Sequence, residues 1–144
     1  MIKFKQGRVT LVIGLPGSGK THYVKQNLRD GVVYDLDHIA AALRLSEPHT
    51  SRHEAARFIT NDMILDFVNK ARRRSKNIYV IRTAPSIFEV DQISPDKIII
   101  CRGSYNITNR PDYIPIDRYE YLRKIQSIIN LSKEKNIPFE EIKT

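Results

Sequence analysis

Residues 14–21 read GLPGSGKT, between the apolar run RVTLVI (8–13) and the segment HYVKQNL (22–28). Three glycines and a proline within eight residues mark a turn. A branched apolar run that enters such a turn and leaves it towards a helix-like segment reads as a strand–turn–helix unit. Its strand needs a sheet to join.

The rest of the chain supplies that sheet. VVYDL (32–36), IYVIR (78–82) and KIIIC (97–101) are further runs of strand length, and helical patterns lie between them. Val24 and Leu28 share one face of a short helix expected to close at Gly31. HIAAALRL (38–45) is rich in the strong helix formers Ala and Leu. Ser51-x-x-Glu54 is a capping box that predicts one long helix to about Ser75. Its expected core stripe is Ala55, Ile59, Met63 and Phe67, with Phe58, Ile64 and Ala71 beside it. Arg72, Arg73 and Arg74 close it, complementing the helix C-terminus or holding a phosphate. Asp117-x-x-Glu120 opens the last helix, with the stripe Leu122, Ile125, Ile128, Ile129 and Ser132. IPFEEI (137–142) can add a fifth strand, which Pro138 pushes to an edge. This alternation predicts an α/β fold: a mostly parallel sheet of about five strands with helices on both faces. With 144 residues and no repeat, low-complexity tract or linker, residues 1–144 read as one domain.

Composition narrows the classes. No apolar segment approaches the length that spans a bilayer, so no membrane role is expected. The basic, apolar N-terminus runs into a glycine loop rather than a cleavage site, which argues against a secretory signal. The single cysteine, Cys101, lies in an apolar run and reads as a buried strand thiol; a cytoplasmic location follows as the expectation. Lys and Arg number 24 against 16 Asp and Glu, a net charge of +8 that favours anionic partners such as nucleotides or nucleic acid, or serves solubility.

Gly14-x-x-x-x-Gly19-Lys20-Thr21 fits the phosphate-loop pattern G-x-x-x-x-G-K-[ST] in full, in the strand–helix context the pattern requires. The glycines let backbone N–H groups turn inward around a phosphate, and the following helix adds its positive end. Lys20 would reach the β- and γ-phosphates and Thr21 would ligate Mg²⁺. The expected nucleotide-binding set is therefore Gly14, Leu15, Pro16, Gly17, Ser18, Gly19, Lys20 and Thr21. The expected ligands are ATP and Mg²⁺, and the fold class becomes that of a P-loop NTPase.

In parallel sheets ligands bind beyond the carboxyl ends of the strands. That rule singles out Asp35 and Asp37 after the second strand, Arg82 and Thr83 after the third, and Arg102 after the fourth. Asp35 and Asp37, two apart, face one cleft if the strand continues through both. A carboxylate there can take a proton from an acceptor hydroxyl. Asp37 can also N-cap the helix expected from His38, and the two roles are compatible. An arginine ending a buried strand needs an anionic partner. Lys20, Asp37, Arg82 and Arg102 are thus the catalytic candidates. His22 and His38 are placed to line the cleft. His49 and His53, four apart, lack a further ligand for a zinc site.

The chain resembles the P-loop kinases: shikimate, gluconate and adenylylsulfate kinases, small nucleotide kinases and the kinase domain of polynucleotide 5′-kinases. GLPGSGKT is the strongest part, and the specific likeness covers about the first 45 residues. It also looks like small ATP-binding proteins of bacteriophage genomes. The resemblance implies that one aspartate of D-x-D orients or deprotonates the acceptor while Asp35 assists Mg²⁺. It implies that residues 102–115 hold a mobile lid whose arginines, Arg110 among them, close on the triphosphate, with Tyr105 and Tyr113 available to stack on a base. Arg44 resembles a substrate-side arginine. Strands three and four end in Arg82-Thr83 and Cys101-Arg102, without the acid that hydrolytic motors place there. That favours an ATP-dependent kinase acting on a nucleotide, nucleoside or nucleic-acid 5′-hydroxyl. A nucleic-acid-linked ATPase and a nucleotide-binding regulatory module with little turnover remain the alternatives, and oligomeric state is open.

Overall fold

Branched apolar residues form the strands Arg8–Ile13 (β1), Gly31–Asp35 (β2), Asn77–Arg82 (β3), Lys97–Cys101 (β4) and Phe139–Ile142 (β5) of the computed structural model, which describes residues 6–50, 52–103 and 116–143. They make one sheet in the order β2-β3-β1-β4-β5, with every pairing parallel. β5 takes an edge, as Pro138 requires; the Pro138 carbonyl accepts from the Ile98 amide at 2.9 Å. Register sets the carboxyl ends of β1, β2 and β3 side by side, since Ile13 pairs with Arg82 and Asp35 with Ile81.

Strand alternation divides the core between two faces. Val9, Leu11 and Ile13 of β1, with Ile78, Val80, Ile98 and Ile100, pack against Ile64–Arg74 (α4), Ile87–Ile93 (α5) and Arg118–Glu134 (α6). Val12, Ile81, Ile99 and Cys101 pack on the other face around Val24 of Lys20–Asn27 (α1). Cys101 is buried as expected, and burial pushes its thiol up to about 11. None of the described helices is long and apolar enough to cross a membrane.

Several helix expectations need correction. Residues 54–74 form two helices, Glu54–Asp62 (α3) and α4, which meet at Met63. The buried Tyr34 hydroxyl donates to the Thr60 carbonyl, the acceptor that an unbroken helix would give to the amide of residue 64. The N-cap of α3 is His53, whose ring nitrogen accepts from the Ala56 amide at 3.2 Å; Ser51 lies outside the described residues. The buried stripe is Ala56, Thr60, Ile64, Val68 and Ala71, so Ala55, Phe58, Ile59 and Met63 face outward. Thr60 can be buried because its hydroxyl donates to the Ala56 carbonyl at 2.7 Å, which hides its polarity within the helix.

In α6 Asp117 caps the first turn as expected, but Tyr121 rather than Leu122 enters the core. The first helix ends at Asn27, and Gly31 opens β2 instead of closing that helix. α5 has no counterpart among the expected elements, although Ser86-x-x-Glu89 marks its start and the Ser86 hydroxyl accepts from the Glu89 amide at 3.1 Å. Arg72 donates to the carbonyls of Gly7 and Ser94 and to Asp96. It therefore ties loops at the amino end of the sheet, the opposite end from the glycine loop.

Candidate functional site

The glycine loop joins the end of β1 to α1. Gly17 and Gly19 take left-handed φ values of 78° and 93°, which strain any residue with a Cβ. Gly19 is the N-cap of α1, with no side-chain cap and no acidic residue in the first turn. No side chain of the helix itself therefore caps or neutralises its positive end. The Gly14 amide donates to the Thr83 carbonyl at 3.0 Å, fixing the loop to the end of β3. Lys20 Nζ donates to the carbonyls of Gly14 at 2.5 Å and Leu15 at 3.1 Å, which holds the ammonium across the loop.

Beside the loop opens a cavity of about 650 Å³. Pro16, Gly17, Gly19, Lys20 and Thr21 line it, together with His22, Asp35, Asp37, His49, Arg57, Arg82 and Thr83. Ser18, within the loop, is buried. The cavity therefore brings the loop, the D-x-D pair and the end of β3 together.

The two aspartates do different work. Asp35, rather than Asp37, is the N-cap of Leu36–Ala42 (α2): its Oδ1 accepts from the Asp37 amide at 3.1 Å. Asp35 Oδ2 accepts from Thr21 Oγ1 at 3.4 Å and lies 3.0 Å from His38 Nδ1. Asp37 falls in the first turn of α2 and points to α3, where Arg57 Nη1 donates to its Oδ1 at 2.6 Å. His49 Nδ1 lies 3.9 Å from the other oxygen. Burial pushes the Asp37 carboxyl up, but the Arg57 hydrogen bond and charge, with His49 and Lys20, outweigh it and hold the pKa below its ordinary value.

Arg82 lines the same cavity and is held from behind. Its Nη1 donates to Asn61 Oδ1 at 2.7 Å and its Nη2 to Glu89 at 3.0 Å. Arg102 is not brought in among the described residues: just past the end of β4, it donates to Glu141 of β5 at 2.5 Å. Arg44 lines a smaller adjoining hollow with His49, His53 and Arg57. Arg110, Tyr105, Tyr113 and the expected lid lie outside the described residues.

A family model described as an AAA domain matches residues 9–92, from the second residue of β1 into α5 and more than half of the chain. The chain belongs to this AAA-domain family. The family is a P-loop NTPase type found in kinases such as polynucleotide kinase-like proteins, and the parallel sheet agrees with it. Comparison with curated proteins gave no match. The matched span of the AAA domain holds the loop, both aspartates, Arg57 and Arg82, so the whole cavity described above falls within it.

Arg57 is the cavity residue that the sequence did not reveal. It lies 20 residues from Asp37 on a different helix, so no local spacing joins them. The one available signal is weak: a basic residue four after His53 on a helix start. His49, set aside as a zinc ligand, does reach the cavity, in a left-handed conformation with φ 65°.

Proposed function

We propose that the chain is an ATP-dependent phosphotransferase whose acceptor is an anionic hydroxyl compound: a nucleotide, a nucleoside-derived phosphate or a nucleic-acid 5′-hydroxyl. The observation that carries this reading is Asp37 in the same cavity as Lys20 and Thr21, with its carboxylate held by Arg57. A carboxylate opposite a phosphate loop has the placement needed to orient a nucleophile.

The chain's own residues divide the work. The loop amides and Lys20 bind the terminal phosphates and spread their charge. Thr21 and Asp35, two oxygen donors in hydrogen-bond contact, suit a hard cation and would hold Mg²⁺, with Asp35 shared between that role and the cap of α2. Bound there, Mg²⁺ supplies charge neutralisation on the phosphates. Asp37 accepts a hydrogen bond from the acceptor hydroxyl. As the bond from the acceptor oxygen to the γ-phosphorus forms and the bond to the β-bridging oxygen breaks, the hydroxyl proton passes to Asp37. The lowered pKa makes Asp37 a weak base. In a loose transition state that proton moves late, so orientation counts for more than basicity. Arg57, with His49 beside it, meets an anionic group of the acceptor, which is the reason for an anionic substrate class.

The test is transfer of label from [γ-³²P]ATP over a panel of nucleosides, nucleotides and 5′-hydroxyl oligonucleotides. A stable labelled product among the nucleotides or the oligonucleotides supports the proposal, and one among the nucleosides alone overturns its anionic acceptor. Release of inorganic phosphate alone, stimulated by DNA, selects an ATPase instead.

A further inference from the structure

Two side chains on one face of α3 reach the ends of two different strands. Arg57 and Asn61, four residues apart, are neighbours on that face. Arg57 takes Asp37, two residues beyond the end of β2, at 2.6 Å. Asn61 takes Arg82, the last residue of β3, at 2.7 Å. Glu89 of α5 holds the other terminal nitrogen of the same guanidinium at 3.0 Å. Asn61 and Glu89 do not line the cavity, whereas Arg57 and Arg82 do.

We propose that Asn61 and Glu89 are positioning residues: they fix the Arg82 guanidinium at the phosphate end of the cavity, and Asn61 sets it in register with the Arg57–Asp37 pair through the single rigid helix α3. Part of this rests on the phosphotransferase reading, because the register matters only if two substrates must meet.

The geometry separates this role from an ordinary surface ion pair. Arg82 and Glu89 side chains are each only 18% exposed, so the guanidinium has little freedom to move to water. Its two terminal nitrogens are taken from different helices, which fixes the plane of the group as one carboxylate alone would not. The next residue, Thr83, receives the Gly14 amide at 3.0 Å, so the strand end that carries Arg82 is also tied to the phosphate loop. Loop, arginine and acceptor-side pair are thereby linked through short contacts. A shift of the order of 1 Å in such an arrangement costs up to about a hundredfold in rate.

The experiment compares Asn61→Ala, Asn61→Asp and Glu89→Gln with the wild-type chain. The Arg82 side-chain Nε–H resonance, assigned by its loss in Arg82→Lys, is followed with and without Mg-ATP, and phosphate transfer and ATP affinity are measured in parallel. Mg-ATP should shift the wild-type Arg82 signal. In Asn61→Ala and Glu89→Gln the signal should broaden and lose that response. Transfer should fall about tenfold at unchanged ATP affinity, and Asn61→Asp, which keeps an acceptor oxygen, should restore most of it. If Asn61→Ala does not fold, Glu89→Gln, which keeps side-chain volume and removes the charge held against the guanidinium, decides the matter through the Arg82 signal. An Arg82 signal that answers Mg-ATP normally in Asn61→Ala and Glu89→Gln, or that ignores Mg-ATP in the wild type, overturns the proposal. A wild-type chain that binds Mg-ATP and transfers nothing removes the phosphotransferase reading alone, and the Arg82 signal still decides the positioning role.

Discussion

Arg57 of α3 places a guanidinium nitrogen 2.6 Å from Asp37 of α2, and this pair lines the same cavity as the phosphate loop. Asp37 is not the cap of its helix. Asp35 takes that role, so the two carboxylates of D-x-D can be altered separately.

Asp37→Asn should therefore leave α2 intact. The side chains of the pair are 26% and 35% exposed, so its loss should cost under about 1 kcal/mol after screening. Transfer should fall about a hundredfold or more at unchanged ATP affinity. Melting temperature and transfer rate, measured on the same preparation, check this. A normal rate would remove Asp37 from the chemistry.

The same residue gives a pH dependence. The folded pKa of Asp37 lies below its ordinary 3.8, so its stabilising contribution is present above that value and is lost as the pH falls through the lower, folded one. Denaturation midpoints of wild type and Asp37→Asn should differ by a constant amount from neutral pH to about 5 and converge on further acidification. A difference that grows in acid contradicts the assignment.

Asp35 should report on the metal. Asp35→Asn keeps a good cap, so stability should hardly move, while the Mg²⁺ concentration for half-maximal turnover should rise. Asp35→Ala should also lose about 1 kcal/mol of stability through the cap. A Mg²⁺ titration of turnover, set beside thermal melts of both variants, separates the two roles.

Lys20→Ala should weaken ATP binding by about tenfold to a hundredfold, the worth of a charge-assisted hydrogen bond to phosphate. The fold should persist, because Lys20 reaches carbonyls of its own loop, which the backbone of β1 and α1 already holds in place. Calorimetric titration with ATP measures the loss, and unchanged affinity would remove the loop from nucleotide binding.

Arg82 and Arg102 should now part company. Arg82→Ala opens the cavity wall and should lower turnover more than ATP affinity. Arg102→Ala removes an exposed pair with Glu141 and should leave turnover near wild type. Steady-state kinetics of the two variants decide between wall and surface.

Local signals were read well where one residue decides one turn. β1 and β4 begin and end where their apolar runs do, Asp117 caps α6, and Pro138 marks an edge strand. They do not decide where two answers look alike along the chain. Residues 54–71 carry two adjacent apolar stripes, and packing alone chose the one containing Thr60. Asp35 and Asp37 both suit an N-cap, and the extent of β2 chose Asp35.

By itself the sequence determined the phosphate loop, the alternation of strands and helices, and the carboxylates and arginine that follow strands two and three. Those are matters of spacing between near neighbours: glycines where φ must be positive, apolar residues at the period of their element, polar residues just past a strand end. Only the tertiary structure decided that β3 lies between β1 and β2, which sets Asp37 and Arg82 in one cavity and leaves Arg102 outside its described wall. It also decided that α3 presents Arg57 to Asp37 and Asn61 to Arg82. The partners of Arg57 and Asn61 lie 20 and 21 residues away along the chain, and no local pattern encodes such contacts. They follow from strand order and from which stripe of α3 is buried, both settled by the packing of the whole core.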